Sequence, residues 1–139
     1  MKTLKSCLAV LIALVIVTGC KKDEKPRKDF TLDPLSFTFE SGELYAYTPE
    51  LKTFTVTNTG NVATGNLTIA LEGTGSGDFE LSKYSIPSLN PGQNATFTVA
   101  PLSGLKKATY QATVSIFAGA DVRSCNITFV VTDFFLKKL

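Results

Sequence analysis

The most informative absence in this 139-residue sequence is histidine, which does not occur at all. Catalytic systems that pair histidine with serine or cysteine, and zinc sites with histidine ligands, are therefore excluded for this chain alone. The net charge is also small, because 14 basic residues nearly balance 12 acidic ones and leave a net charge of +2. Nucleic-acid binding needs a clustered basic surface, so we expect none. Without an acid/base pair or a nucleophile system, we expect a non-catalytic protein that has no cofactor.

A long apolar run occurs only at the N-terminus. Two lysines among the first five residues precede ten consecutive apolar residues, Leu8 to Val17, in the layout of a secretory signal peptide. Ten residues are too few for a transmembrane helix, which needs roughly 20. The tetrad Val17-Thr18-Gly19-Cys20 resembles a bacterial lipobox. This resemblance implies that residues 1–19 are a lipoprotein signal peptide and that a lipid on Cys20 holds the protein on a membrane. The alternative is an ordinary signal peptide followed by a chance cysteine.

The segment after Cys20 is charged and contains Pro26, so we expect a flexible tether over residues 20–30. Lys21 stands where an aspartate would resemble an inner-membrane retention signal. Lys22-Asp23-Glu24 resembles the signal that sends certain lipoproteins to the outer face of the outer membrane, although a mixed-charge linker would also contain such a triplet. We therefore expect a lipoprotein of the outer membrane, facing either the periplasm or the cell surface.

The remaining cysteine cannot form an internal disulfide. Cys7 leaves with the signal peptide and Cys20 carries lipid, so Cys125 is alone and the domain must be stabilised by its core. Cys125 is in phase with Ile127 and Phe129, which predicts a small buried side chain rather than a reactive thiol.

From Phe30 onward apolar residues alternate with polar ones, and each alternating run ends at a turn signal. This pattern predicts an all-β fold, a seven-stranded antiparallel β-sandwich over residues 31–139. The predicted strands are Leu35–Phe39, Phe54–Thr57, Leu67–Leu71, Phe79–Leu81 continuing to Ile86, Ala95–Val99, Thr109–Phe117 and Val122–Thr132. The predicted core is Phe37, Phe39, Phe54, Val56, Leu67, Ile69, Leu71, Phe97, Val99, Tyr110, Val114, Ile116, Ile127, Phe129 and Val131.

The turns carry a second resemblance. Thr57-Asn58-Thr59-Gly60 after one strand and Asn90-Pro91-Gly92 before another resemble bacterial immunoglobulin-like domains of the T-N-x-G … P-G type. These modules occur in cell-surface, adhesion-related and choice-of-anchor repeat proteins, and the similarity spans residues 35–132. It implies an immunoglobulin-like fold and a non-catalytic module that binds an unknown protein or glycan. The alternative is a structural accessory subunit or spacer that docks onto an envelope complex through a sheet edge.

Aromatic side chains are the candidate interaction residues. Tyr45 and Tyr47 are two residues apart and so are predicted to share a face, which suits either a partner or the end of the sandwich. Phe117 is out of phase with the inward residues of its strand. Phe134 and Phe135 follow the last predicted strand and either extend it or form a surface for a partner.

The loop Gly73-Thr74-Gly75-Ser76-Gly77 lacks the lysine of a phosphate-binding loop, which favours a simple connection between strands. Glu72, Asp78 and Glu80 around this loop suit either a calcium site or solvated carboxylates, and the solvated arrangement is favoured.

Overall fold

A computed structural model describes residues 23–134, and within this range the chain forms ten β-strands and one short 3-10 helix. No helix in that range is long and apolar enough to cross a membrane. The elements in chain order are β1 (Phe30–Asp33), β2 (Ser36–Thr38), β3 (Gly42–Glu43), β4 (Lys52–Asn58), β5 (Leu67–Glu72), the 3-10 helix (Ser76–Asp78), β6 (Phe79–Leu81), β7 (Ser85–Ile86), β8 (Asn94–Pro101), β9 (Ala108–Ala118) and β10 (Asp121–Thr132).

The strands form two sheets that pack face to face. One sheet has the order β1-β4-β8-β6, and the other has the order β2-β10-β9-β5-β7, with β3 also pairing with β10. Alternate side chains of β4, β8, β9 and β10 point between the sheets and are buried. All predicted core residues are buried except Phe37, Leu71 and Tyr110, which pack against the core while partly exposed. The predicted β-sandwich is thus confirmed.

The N-terminal edge differs from the prediction, because the chain there contributes to both sheets. Phe30–Asp33 forms β1 beside β4, with Phe30 and Leu32 buried. The chain then crosses at the cis Asp33–Pro34 bond and continues as β2 and β3, both parallel to β10. The sandwich is therefore not wholly antiparallel. A four-residue strand with two inward side chains is too short to show a period-two signal, which is why the sequence pattern missed β1.

The predicted fourth strand divides in a similar way. Phe79–Leu81 forms β6 at the edge of the four-stranded sheet, whereas Ser85–Ile86 forms β7 at the edge of the six-stranded sheet. Phe79, Leu81 and Ile86 are all buried. Burial alone therefore could not show that the chain changes sheet between them.

Hydrogen bonds hold residues 25–29 on the domain, within the segment predicted to be a flexible tether. Asn61 Nδ2 donates to the Lys25 carbonyl at 3.0 Å, and Asn61 Oδ1 accepts from Arg27 N at 2.6 Å. Asp29 accepts from the guanidinium of Arg27 at 2.7 Å and from that of Arg123 at 2.9 Å. The hydrogen bond from Arg123 is the main reason that the pKa of Asp29 is lowered from its ordinary value. We call residues 25–29, Asn61 and Arg123 the N-terminal clasp.

The clasp and β1 together leave a shorter tether than the sequence predicts. The predicted division between tether and domain, at residues 30 and 31, falls inside β1, since Phe30 is 2% exposed and pairs with Asn58. The part of the predicted tether that lies before the clasp is residues 20–24.

The buried amide of Asn58 joins two loops at the same end of the sandwich as the clasp. Asn58 Nδ2 donates to the carbonyls of Val62 at 2.9 Å and Leu89 at 2.8 Å, and Asn58 Oδ1 accepts from Gly60 N at 2.8 Å. The Asn58 carbonyl also accepts from Gly92 N at 2.9 Å. These bonds explain the T-N-x-G and P-G turns, because one asparagine connects them. We call these contacts the Asn58 junction.

The junction also positions the clasp. The backbone N–H groups of Thr59 and Gly60 both donate to the Asp29 carbonyl at 3.1 Å. A Cβ on Gly60 would lie 2.3 Å from the Arg27 carbonyl oxygen, so glycine is required for this close approach.

Replacing Asn58 by aspartate tests the junction. Asn58→Asp keeps the side-chain shape but removes both N–H donors, so two carbonyl oxygens lose a partner and a buried carboxylate faces them. We expect the free energy of unfolding in urea at pH 7 to fall by at least about 2 kcal/mol. Asn66→Asp, at an exposed position, is the matched control and should change it by less than about 0.5 kcal/mol. Equal effects of the two substitutions would contradict this role of Asn58.

Candidate interaction surface

The clasp and the exposed rings of Tyr45 and Phe134 lie at opposite ends of the sandwich. Arg123, near the start of the 12-residue strand β10, contacts Asp29 of the clasp. Thr132, at the end of β10, pairs with Glu43. Thr132 is the ninth residue after Arg123 along the strand, which corresponds to about 30 Å. We call the two ends the clasp pole and the groove pole.

The groove pole carries an open apolar groove of about 300 Å³, lined by Leu44, Tyr45, Ala46 and Phe134. Tyr45 is 92% exposed and Phe134 is 51% exposed. Tyr45 sits in a turn closed by the hydrogen bond from Ala46 N to the Glu43 carbonyl, and its φ is 64°. This left-handed conformation is uncommon for a residue with a bulky side chain. The turn therefore projects the tyrosine ring into solvent beside Phe134.

Tyr47 has a different environment from Tyr45. Its ring packs against Phe129, with centroids 5.1 Å apart. Its hydroxyl donates to the Leu102 carbonyl at 2.7 Å and accepts from Leu105 N at 2.9 Å. The expectation that the two tyrosines share a face is wrong, because the intervening turn interrupts the alternation of the strand. Tyr47 instead covers the end of the sandwich, as the alternative reading of the sequence proposed.

Gly42 is the residue that lets the Tyr47 ring lie close to the backbone. A Cβ on Gly42 would approach the ring to 2.6 Å, well inside contact distance. The Tyr47 ring therefore covers the core at the groove pole, whereas Tyr45 lies outside it in solvent.

The other aromatic candidates are not part of the groove in the described residues. Phe117 lies on the outer face of the six-stranded sheet, paired with Val122 near the clasp pole, and is partly buried rather than fully exposed. Phe135 and the lipidation candidate Cys20 lie outside the described residues. Of the candidates, the structure thus brings together Tyr45 and Phe134. Leu44 and Ala46, which also line the groove, gave no periodic signal because they lie in the turn.

The three carboxylates considered for calcium are divided between the sheets. Glu72, at the end of β5, accepts a hydrogen bond from Ser115 Oγ, whereas Glu80 lies in β6 of the other sheet. Asp78 is in the 3-10 helix, where its carbonyl accepts from Leu102 N. Within residues 23–134 no group of three or more potential metal-ligating side chains converges.

Cys125 is 1% exposed, in the inward position that the sequence phase predicts. Burial raises the pKa of its thiol to about 11, and the Asp33 carboxylate adds to the shift. The thiol is therefore protonated at neutral pH, which is the unreactive form.

The sheet edges offer little backbone to a partner strand. The edge strands β1, β2, β3, β6 and β7 have four residues or fewer. β2 pairs only with residues 126–128 of β10. Earlier in β10, the Val122 carbonyl accepts a hydrogen bond from the Arg123 guanidinium at 2.9 Å. Short edges and charged side chains on them disfavour pairing with another chain. The apolar groove is therefore the better candidate surface.

The sequence matches no protein-family model and no curated protein. Among solved structures, the ASH/PapD-like domain 7 of human CEP192 superposes with a TM-score of 0.59 at 11% identity, covering 81% of this chain and 91% of that one. A family 123 glycoside hydrolase from Clostridium perfringens gives 0.56 at 8% identity, covering 72% of this chain and 23% of that one. The E. coli chaperone DraB gives 0.50 at 12% identity, covering 76% of this chain and 55% of that one.

These likenesses confirm the fold class, a β-sandwich of the immunoglobulin-like and PapD-like kind. Identities of this size establish the fold alone, because unrelated functions share it. This chain also spans less than a quarter of the hydrolase and about half of the chaperone. The prediction of a non-catalytic protein stays a prediction.

The two tyrosines of the groove pole provide a matched pair of substitutions. Tyr47→Phe removes a hydroxyl that bonds two backbone groups, so we expect the free energy of unfolding in urea to fall by about 1 kcal/mol or more. Tyr45→Phe removes a hydroxyl from an exposed ring and should leave it within about 0.5 kcal/mol. If Tyr45→Phe were the more destabilising change, the assignment of Tyr47 as the structural tyrosine would fail.

Proposed function

We propose that this protein is a lipid-anchored binding module of the bacterial outer membrane, which presents its groove pole to a protein partner. Lipid on Cys20 attaches the chain, and the groove formed by Leu44, Tyr45, Ala46 and Phe134 binds an apolar side chain of the partner. The observation that carries the proposal is the placement of the clasp and the groove at opposite poles.

The clasp supports an oriented attachment. Lys25, the first residue held on the domain, is the fifth residue after Cys20. Even fully extended, five residues span only about 17 Å. With a lipid on Cys20, the clasp pole would therefore face the membrane, and the groove pole would lie about 30 Å farther out.

The groove has the chemistry of a protein-binding site. Exposed aromatic residues are frequent anchors of protein interfaces, especially where they can be desolvated together. Tyr45 and Phe134 form such a pair, and Asp133, the residue before Phe134, forms an ion pair with Lys107. The chaperone DraB has a comparable sandwich, which is consistent with a module that binds proteins. A spacer that docks through a sheet edge is less well supported, because the edges are short.

The anchor is tested by Cys20→Ala in intact cells. The wild-type protein should incorporate labelled palmitate and sediment with outer membranes, and Cys20→Ala should do neither. Protease treatment of intact cells then distinguishes the surface from the periplasmic face. A Cys20→Ala protein that remained lipid-labelled and membrane-bound would overturn the lipid anchor.

The partner is tested by photo-crosslinking from the groove pole of the anchored protein in intact cells. A crosslinker at position 46 should capture one defined protein, and the double substitution Tyr45→Ala/Phe134→Ala should reduce the yield at least tenfold, as expected for loss of interface anchors. Tyr84→Ala, at another exposed tyrosine with 69% exposure, is the control and should leave the yield unchanged. Equal yields from both variants would exclude the groove as the contact.

A further inference from the structure

A second surface, away from the groove, has a different chemistry. The outer face of the six-stranded sheet contains a depression of about 350 Å³ where β5, β9 and β10 lie side by side. Five of the side chains around it are uncharged and polar, with hydroxyl or amide groups, and one is a carboxylate. The polar side chains that line it are Glu72, Thr74, Gln111, Thr113, Asn126 and Thr128, which we call the hydroxyl–amide face.

The glycine-rich loop after β5 forms one wall of this depression. Gly73 and Thr74 line it, and Gly75 lies directly against β9, where a Cβ would be 2.3 Å from the Gln111 carbonyl oxygen. Gly73 has a φ of 96°, which favours glycine. Gly75 is thus required by close packing against β9 and Gly73 by its backbone conformation, so this part of the loop is held against the sheet.

Hydrogen bonds between neighbouring strands order the polar groups. Thr113 Oγ1 donates to Asn126 Oδ1 at 3.1 Å, which fixes the orientation of the Asn126 amide. Ser115 Oγ donates to Glu72 Oε2 and so orients the carboxylate. Within residues 23–134, Asn126 Nδ2 has no hydrogen-bond partner. The face therefore presents a donor and acceptors that are oriented by the sheet and remain available to a ligand.

From this arrangement we propose that the hydroxyl–amide face binds a neutral oligosaccharide. Sugar hydroxyls both donate and accept, which matches a lining of amides, hydroxyls and one carboxylate. The lining contains no lysine or arginine, so it gives a polyanion no charge to pair with, and Glu72 would repel one. Ala112 and Ile127 also line the depression, but their side chains are buried in the core, so the face exposes no aromatic or aliphatic anchor of the kind on which protein interfaces depend.

Phe117 extends the same face toward the clasp pole. It points outward from β9, as Thr113 does, and lies four residues from Thr113, about 13 Å along the strand, with the buried Ser115 between them. A ring at that distance is available to contact the later units of a chain whose first units occupy the depression. A longer oligosaccharide should therefore bind more tightly than a disaccharide, and Phe117 should account for the difference.

The test uses the anchored protein purified in detergent and isothermal titration calorimetry. The probes are neutral hexasaccharides of glucose, xylose, mannose and N-acetylglucosamine, with hexagalacturonate as the charged comparison. We expect one neutral hexasaccharide to bind at millimolar concentration or below. Thr113→Val keeps the side-chain shape but removes the hydroxyl, and Asn126→Asp replaces the free amide donor. Each should weaken binding about tenfold, the usual effect of losing one or two hydrogen bonds.

Thr68→Val is the matched control, since Thr68 is exposed on the same face beside Phe117 and does not line the depression. It should bind as the wild type does. Phe117→Leu should weaken the hexasaccharide and leave the corresponding disaccharide unchanged. If Asn126→Asp fails to fold, the affinity of Thr113→Val for the hexasaccharide still tests the proposal.

Three results would overturn the proposal: no binding of any neutral hexasaccharide, preference for hexagalacturonate, or equal affinity of Thr113→Val and Thr68→Val. Capture of a protein by a crosslinker at position 111 in intact cells, lost in Thr113→Val, would assign the face to a protein instead. Failure here leaves the groove pole unaffected, because crosslinking from position 46 reports on that surface separately.

Discussion

The buried amide of Asn58 is the interaction on which the arrangement of this domain depends. It donates to the Val62 and Leu89 carbonyls and accepts from Gly60, so a single side chain fixes two loops at the end of the sandwich. Because the N–H of Gly60 also donates to the Asp29 carbonyl, the same junction holds the N-terminal segment against the domain. Buried polar groups that are fully bonded specify one geometry, since any alternative leaves them unpaired. The direction in which the chain enters the fold is therefore set by hydrogen bonds at one pole.

The same arrangement separates the attachment end of the domain from the surfaces that are open to a ligand. The clasp occupies one pole, and the long strand β10 carries the chain away from it to the groove of Tyr45 and Phe134. Edge strands are short, so the two sheets expose few unpaired backbone groups. What remains for recognition is chemically distinct: an apolar groove at the far pole, and a polar, nearly uncharged depression on the outer face of the six-stranded sheet. An apolar groove suits a protein side chain and a hydroxyl–amide lining suits a sugar.

The sequence predicts the sandwich well, because period-two alternation over strands such as β9 and β10 reports directly which side chains face the core. It does not predict β1, β3 or the separation of β6 from β7, since two to four residues carry no period and the choice of sheet depends on packing between distant parts of the chain. Tyr45 and Phe134 were recognisable as exposed aromatic residues, but their meeting depends on the pairing of β3 with β10. Tyr47 covers the end of the sandwich, one of the two places that the sequence suggests, but the turn at residues 44–46 separates it from Tyr45. The hydroxyl–amide face was hidden for a simpler reason: threonine on an outward strand position looks the same whether it contacts water or a ligand.

The most direct test of this account is the depth of two labels in nanodiscs on the protein that carries the proposed lipid on Cys20. Spin labels at Ala120→Cys, in the β9–β10 turn of the clasp pole, and at Ala46→Cys, in the groove, occupy exposed positions. Electron paramagnetic resonance with a headgroup-bound relaxation agent should place the Ala120 label near the bilayer surface and the Ala46 label about 30 Å farther away. Labels at equal depth, or an Ala46 label nearer the bilayer, would contradict an orientation set by the Asn58 junction and the N-terminal clasp.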